Sequence, residues 1–235
     1  MGRKIMVVTA AYGAEQVRQA GGQRAMLPVI AAAGADGVEI RRELFNSEEL
    51  LALPALSESI ELMGLLACYS APAALFMADG TLNPDLPRYL SEANTLNALW
   101  LKVSLGHFSD TQPLDALRAL LNASGMALVV ENDQTDCGQL ALMRRFQASC
   151  REMALPVTLT FDMGNWLWVG DSPEEAARHL APAVSYIHVK AAVPHKDNFR
   201  AVAPDRADAR WLDLLGQLPA DAPRGIEFPL EGADL

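Results

Sequence analysis

Four short apolar, β-branched runs in the second half of the chain each stop on a side chain able to bind a cation. Residues 126–133 (MALVVEND) end their run on Glu131, PVTLTFD ends on Asp162, VSYIHVK ends on His188 and Lys190, and RGIEF ends on Glu227. A run with no polar alternation is apolar on both faces, as in a parallel strand covered on each side. One such ending says little. Four in succession imply side chains brought to a common point at the C-terminal ends of adjacent strands.

Markers near the ends of the strands from the second onward fall at Glu39, Ser70, Ser104, Glu131, Asp162, His188 and Glu227, so consecutive spacings run from 26 to 39 residues. That is the length of a strand, a helix and two loops. The strands are expected at 4–9, 36–42, 64–70, 98–104, 126–131, 156–162, 184–190 and 224–228. Helices are expected at 24–33, from Ser47 with a break or restart at Pro54, and at 86–96, 113–123, 137–153 and 208–218. Another begins at Ser172-Pro173, with proline at its first position. Residues after Ser70 and residues 194–204 read as loops. Eight such units make a (β/α)8 TIM barrel, an α/β fold whose strand ends meet at one rim. An open doubly wound sheet is the alternative, but no glycine-rich phosphate turn follows the first strand. Residues 229–235 are too few for an eighth helix. The barrel is therefore expected to lack it, with Ile226, Phe228 and the outer face of the first strand bare, through truncation or cover by a neighbouring chain.

The 235 residues, 51% of them hydrophobic, suffice for one α/β domain spanning 1–235. No run reaches the roughly 18 apolar residues of a membrane span, and MGRKIMVVTA lacks a signal-peptide pattern, so a cytoplasmic protein is expected. Three cysteines without metal-binding spacing suggest neither disulfides nor structural zinc. A net charge of −10 disfavours nucleic acid as a partner. A bare seam between the eighth and first strands would favour a homo-oligomer.

Parity supports convergence. Ala127, Val129 and Glu131 share one strand face, as do Thr158, Thr160 and Asp162, and Tyr186, His188 and Lys190. Small residues below and polar ones at the top fit an inward barrel face. Three carboxylates and one imidazole make a cation site, and this oxygen-rich set suits Mn²⁺, Mg²⁺ or Co²⁺ better than a thiolate zinc site does. Glu39 is read either as a substrate contact or as an ion-pair partner of Arg41 or Lys102. Lys102 and Lys190 could bind a substrate hydroxyl or carboxylate, or neutralise the acidic rim. His107 follows the fourth strand and could enter the pocket. Trp166 and Trp168 could wall it for a sugar ring, or pack at the rim.

With GVEIR on the second strand, VEN on the fifth, FDMGN on the sixth, IHVK on the seventh and IEFPL on the eighth, nearly the whole chain resembles the xylose-isomerase-like TIM barrels. These include sugar isomerases, epimerases and related lyases. The resemblance places the metal ligands at Glu131, Asp162, His188 and Glu227, with Glu131 and Glu227 also as acid and base and one divalent ion (Mn, Co, Mg or Zn) as cofactor. Asn165 stands where the family's ketose epimerases have a substrate-binding histidine, and Pro194 where they have an arginine; Asn165 is thus a substrate-side position of an open subfamily.

The implied chemistry is proton removal beside a carbonyl of a small polyhydroxy substrate to give a metal-stabilised enediolate. Return of the proton to the opposite face epimerises, return to the next carbon isomerises, and loss of a β-hydroxyl dehydrates, as with a keto-polyol or a dehydroshikimate-like acid. Abasic-site endonucleases share the fold but use several metals and many histidines, against four histidines here. A non-catalytic sugar-binding barrel is the alternative from another class.

Overall fold

The computed structural model describes residues 3–110 and 114–230. Pro113, the expected start of a helix, and residues 231–235 lie outside them. The strands are β1 (Ile5–Val8), β2 (Gly37–Arg41), β3 (Leu66–Phe76), β4 (Leu101–Gly106), β5 (Leu128–Glu131), β6 (Val157–Asp162), β7 (Val184–Val189), β8 (Ala191–His195), β9 (Asn198–Val202) and β10 (Arg224–Ile226). The helices are α1 (Ala14–Gln19), α2 (Gln23–Ala32), α3 (Ser47–Leu51), α4 (Leu53–Leu62), α5 (Leu86–Thr95), α6 (Leu114–Ser124), α7 (Leu140–Glu152), α8 (Pro173–Leu180) and α9 (Arg210–Gln217). Eight strands close in the order β1-β10-β7-β6-β5-β4-β3-β2, every pair parallel. With helices alternating between them, this is the (β/α)8 barrel.

Local chemistry accounts for the element boundaries. Asn46 caps α3 in a reciprocal box with Glu49, and Pro54 restarts the helix as α4. Ser172 caps α8 through the Glu175 amide, with Pro173 at its first position. Val38, Ile40, Val130, Phe161 and Ile187 face outward into a continuous core with Leu27, Ile30, Phe146 and Leu180 of the helices. Inside the barrel, Met6, Cys68 and Tyr186 form a separate small layer floored by Leu66 and Trp100.

Three segments depart from expectation. Residues 71–76 are not loop: after an irregularity between Ser70 and Ala74, β3 continues along β4, pairing Ala74 with Ser104 and Phe76 with Gly106. Residues 194–204 are not irregular, because most of them belong to the antiparallel hairpin β8–β9, which runs from Ala191↔Val202 to His195↔Asn198. Helix α1 was not anticipated at all. Among the described residues, which end at Leu230, no helix follows β10. The seam is nevertheless not bare: Val7 is buried, Ile5, Ile226 and Phe228 are half-buried, and the Leu230 amide donates to the Ala11 carbonyl at 2.9 Å. Residues 227–230 fold back over the end of β1 and provide part of the missing cover. None of the helices in the described residues is long and apolar enough to cross a membrane.

Candidate active site

The strand register sets the site at the C-terminal rim. Asp162 pairs with His188 across β6–β7, and His188 pairs with Gly225 across β7–β10, two residues before Glu227. Glu131 ends β5 opposite Ser104 of β4. One ligand-type atom from each of Glu131, Asp162, His188 and Glu227 lies within 4.8 Å of the others. Nδ1 of His188 is 2.7 Å from Glu131 Oε1, 3.1 Å from Glu227 Oε2 and 3.9 Å from Asp162 Oδ2. Glu131 Oε1, Asp162 Oδ2 and His188 Nδ1 are buried and make no hydrogen bond. They approach one another without donor–acceptor geometry, as atoms directed at a common centre do.

Asp162 and His188 are oriented from behind. Asp162 Oδ1 accepts from the amides of Gly164 and Asn165, both at 3.0 Å, leaving Oδ2 for the centre. The buried Asn132 side chain is doubly bonded to the Asp162 backbone: its Nδ2 donates to the carbonyl at 3.0 Å and its Oδ1 accepts from the amide at 2.9 Å. Asn165 donates in turn to the Asn132 carbonyl and accepts from Gln134. The imidazole of His188 is held by Glu39, whose Oε2 lies 2.7 Å from Nε2 and also accepts from the Tyr186 hydroxyl at 2.8 Å.

Three cations enclose the carboxylates. Lys102 is ion-paired to Glu131 and lies 3.7 Å from Glu39. Lys190 lies 2.7 Å from Asp162 Oδ2, as an ion pair without hydrogen-bond geometry, and donates to Glu227 Oε2 at 2.8 Å. Arg41 donates to Glu227 at 3.0 Å and to Glu43 at 2.8 Å.

These charges set the ionisation. Burial opposes the charge on Glu39 and on Glu131. For Glu39 the His188 and Lys102 cations outweigh it, for Glu131 Lys102 and His188 do, and each carboxyl is held at about 2. Burial likewise opposes Glu227, yet His188, Lys190 and Arg41 hold it well below the usual range. Asp162 goes the other way: burial, with the Glu227 and Glu131 charges overcoming the pull of Lys190, lifts it to about 7. His188 is pushed well above its ordinary value, because the surrounding carboxylates outweigh its burial. The surrounding charges thus favour the protonated imidazole of His188 and make Asp162 the carboxyl of the cluster that takes up a proton most readily.

Glu131, Asp162, His188, Glu227, Lys102 and Lys190 come together. Glu39 is fully buried behind the imidazole, beside Lys102 and Arg41. Asn165 is buried in the loop that positions Asp162. Trp166, offered as a pocket wall, has no exposure and packs on Phe161 in the core, while Trp168 packs on Phe199. His107 is exposed on the turn after β4. Sequence reasoning missed the roles of Asn132 and Tyr186, although Tyr186 carried the signal of sharing His188's face.

A cavity of about 290 Å³ opens beside Lys102 and Glu131, lined also by Arg41, Ser70, Ser104 and Asp133. The extension of β3 walls it through Ala71–Ala74. This is near the lower end of the range for small-molecule sites, roughly 300–1,000 Å³. A larger groove, about 720 Å³, lies along β8–β9 and Phe228–Leu230 and includes none of the cluster.

No protein-family model matches the sequence, and no curated protein matches it either. Solved structures do match. A zinc-bearing IOLI protein aligns over 96% of this chain and 88% of its own, at a TM-score of 0.70 and 14% identity. A probable 3-DHS dehydratase from Bacillus anthracis aligns over 98% and 94%, at 0.68 and 12% identity. A D-psicose 3-epimerase aligns over 97% and 86%, at 0.65 and 14% identity. The chain also spans 40% of the length of a xylose isomerase-like TIM barrel/4-hydroxyphenylpyruvate dioxygenase fusion protein. At these identities the likeness is one of fold alone, that of the (β/α)8 barrel.

Proposed function

Starting from a xylose isomerase-like barrel whose rim gathers three carboxylates and an imidazole, we propose that the chain is a divalent-metal-dependent isomerase or epimerase of a small polyhydroxy carbonyl compound. The observation that carries this is the set of buried atoms without hydrogen-bond partners, Glu131 Oε1, Asp162 Oδ2 and His188 Nδ1, converging with Glu227. Buried polar atoms without hydrogen bonds are costly, and although Lys190 is ion-paired to Asp162 Oδ2, a cation at the common centre would give all of them a partner. The donor set of oxygens and one nitrogen fits Mn, Co, Mg or Zn, and the zinc-bearing fold neighbour supports a metal.

When bound, the cation supplies positive charge to the carbonyl and adjacent hydroxyl oxygens of the substrate. Glu131 borders the cavity and, ionised beside Lys102, is in the form that takes a proton from the carbon next to the carbonyl. Glu227 stands three places around the ring of eight strands from β5 and presents a second carboxylate from another side. Lys190 fixes Glu227 and Asp162 against each other. Lys102 and Arg41 offer N–H groups to substrate oxygens along the cavity.

The test begins with elemental analysis of the protein beside a Glu131→Gln/Glu227→Gln double variant. About one metal per chain, lost in the variant, supports the ligand set. Metal-loaded protein is then incubated with ketoses and aldoses in D₂O. Rearranged sugar deuterated beside the carbonyl supports the reaction class. A conjugated, ultraviolet-absorbing product moves the assignment to a dehydratase, and sugar binding without exchange moves it to a non-catalytic sugar-binding barrel. No retained metal after exposure to Mn²⁺ and Co²⁺ overturns the proposal.

A further inference from the structure

Tyr186 lies two residues before His188 on β7, on the same inward face and one layer deeper, so its side chain reaches neither the cavity nor the four ligand atoms. Its seat is nevertheless closely made. The phenol ring rests on Trp100, centroids 4.9 Å apart, and meets the His188 ring edge-on at 5.1 Å. On β10 the space is left by Gly225: a β-carbon there would overlap the Tyr186 hydroxyl and lie 2.8 Å from its Cζ and 3.0 Å from His188 Cδ2. From this seat the hydroxyl donates to Glu39 Oε2, the oxygen that also meets His188 Nε2.

The chemistry of these three groups leaves one arrangement for a metal-binding state. An ionised carboxylate only accepts, so the neutral imidazole that meets Glu39 must carry its proton on Nε2. Nδ1 is then bare, and Nδ1 is the nitrogen facing Glu131, Asp162 and Glu227. Glu39 can enforce this only if its carboxylate is held in the plane of the imidazole. Lys102 and Arg41 draw on the other oxygen, Oε1, from 3.7 and 3.5 Å, and the Tyr186 hydroxyl anchors Oε2.

The geometry points to Tyr186 as a positioning residue for the metal site: acting through Glu39, it fixes the His188 tautomer that offers Nδ1 to a divalent cation. This rests on the four-ligand reading above and extends it to a residue that touches neither metal nor substrate. Outer partners of metal-bound histidines typically govern about 10- to 100-fold of metal affinity. Tyr186, one link further out, is set at the lower end of that range.

The experiment titrates metal-free protein with Co²⁺ against a competing chelator, following the visible Co²⁺ bands, for wild type, Tyr186→Phe, Glu39→Gln and Tyr69→Phe. Tyr69 lies outside the barrel, its hydroxyl on Glu92, and controls for the loss of any buried phenol. Expected are about a 10-fold loss of affinity in Tyr186→Phe, a larger loss in Glu39→Gln and none in Tyr69→Phe. Long-range imidazole ¹⁵N spectra of the Zn²⁺-loaded proteins add a tautomer readout: His188 shows protonated Nε2 in wild type and a mixture in Tyr186→Phe. Affinity within twofold of wild type in Tyr186→Phe, an unchanged His188 spectrum, or parallel losses in Tyr186→Phe and Tyr69→Phe overturns the assignment while leaving the metal reading intact. Wild-type protein that binds neither ion overturns the metal reading and this assignment with it.

Discussion

Asn132→Leu replaces a buried amide by an apolar side chain of similar bulk and leaves the Asp162 N–H and C=O without their partners. Each buried backbone group stripped of its hydrogen bond costs about 1–3 kcal/mol, so the pair costs about 2–6 kcal/mol. For a chain of this length, 1 kcal/mol moves the melting temperature by about 2–4 °C, giving an expected fall of about 5–20 °C. The Asn165 side chain survives as a partner of the Asn132 carbonyl, which belongs to the backbone and is unaffected. The loss is therefore confined to the two bonds that aim Asp162. Calorimetric melting with and without metal measures it, and the metal-induced rise in melting temperature should also shrink as Asp162 Oδ2 drifts from the centre. A melting temperature within about 2 °C of wild type would refute the claim that these two bonds hold the β5–β6 rim.

Metal uptake should release protons, since the metal-free cluster keeps them on His188 and on Asp162, whose carboxyl sits at about 7. Asp162's raised value means that its contribution to metal-free stability is present at low pH and lost as pH rises through about 7. Metal should thus raise the melting temperature more at pH 8 than at pH 6, and calorimetric titration in two buffers of different ionisation enthalpy should count the protons. Gly106→Ala places a β-carbon against the Phe76 carbonyl at a φ of +69°, and should destabilise by about 1–3 kcal/mol in denaturant titration. Glu92→Gln breaks the twofold contact with Arg42 and weakens the bond from Tyr69 outside the barrel, and should destabilise by about 1–3 kcal/mol while leaving Co²⁺ affinity unchanged.

Much of the cluster was legible because its residues obey local rules. Glu131, Asp162 and His188 each occupy an inward position near the end of a strand, and period-two parity alone puts them on one rim. Asn132 points away from that face, and its partner is 30 residues distant, so no local pattern marks it. The Tyr186–Glu39 bond spans 147 residues and exists only because the barrel closes. The extension of β3 was missed because Ala-Pro-Ala-Ala has poor strand propensity; it is a strand because Ala74 and Phe76 find β4 after the irregularity. The hairpin β8–β9 turns at Lys196, a non-glycine residue at φ +53°, so no glycine announced it.

The pairing of β1 with β10 has a consequence for how the molecule comes into being. Residues 5–7 find their second neighbours only at residues 224–226, so β1 waits with one open edge while more than two hundred residues are synthesised. Two edges, on β1 and β7, are sealed in one event when β10 inserts between them. The same event delivers Glu227. The contacts that close the ring are thus also the ones that bring the fourth member of the cluster into place. On the metal reading proposed above, a cation drawing on all four side chains would hold the closed ring shut and would gain no such hold on a ring still open between β1 and β7.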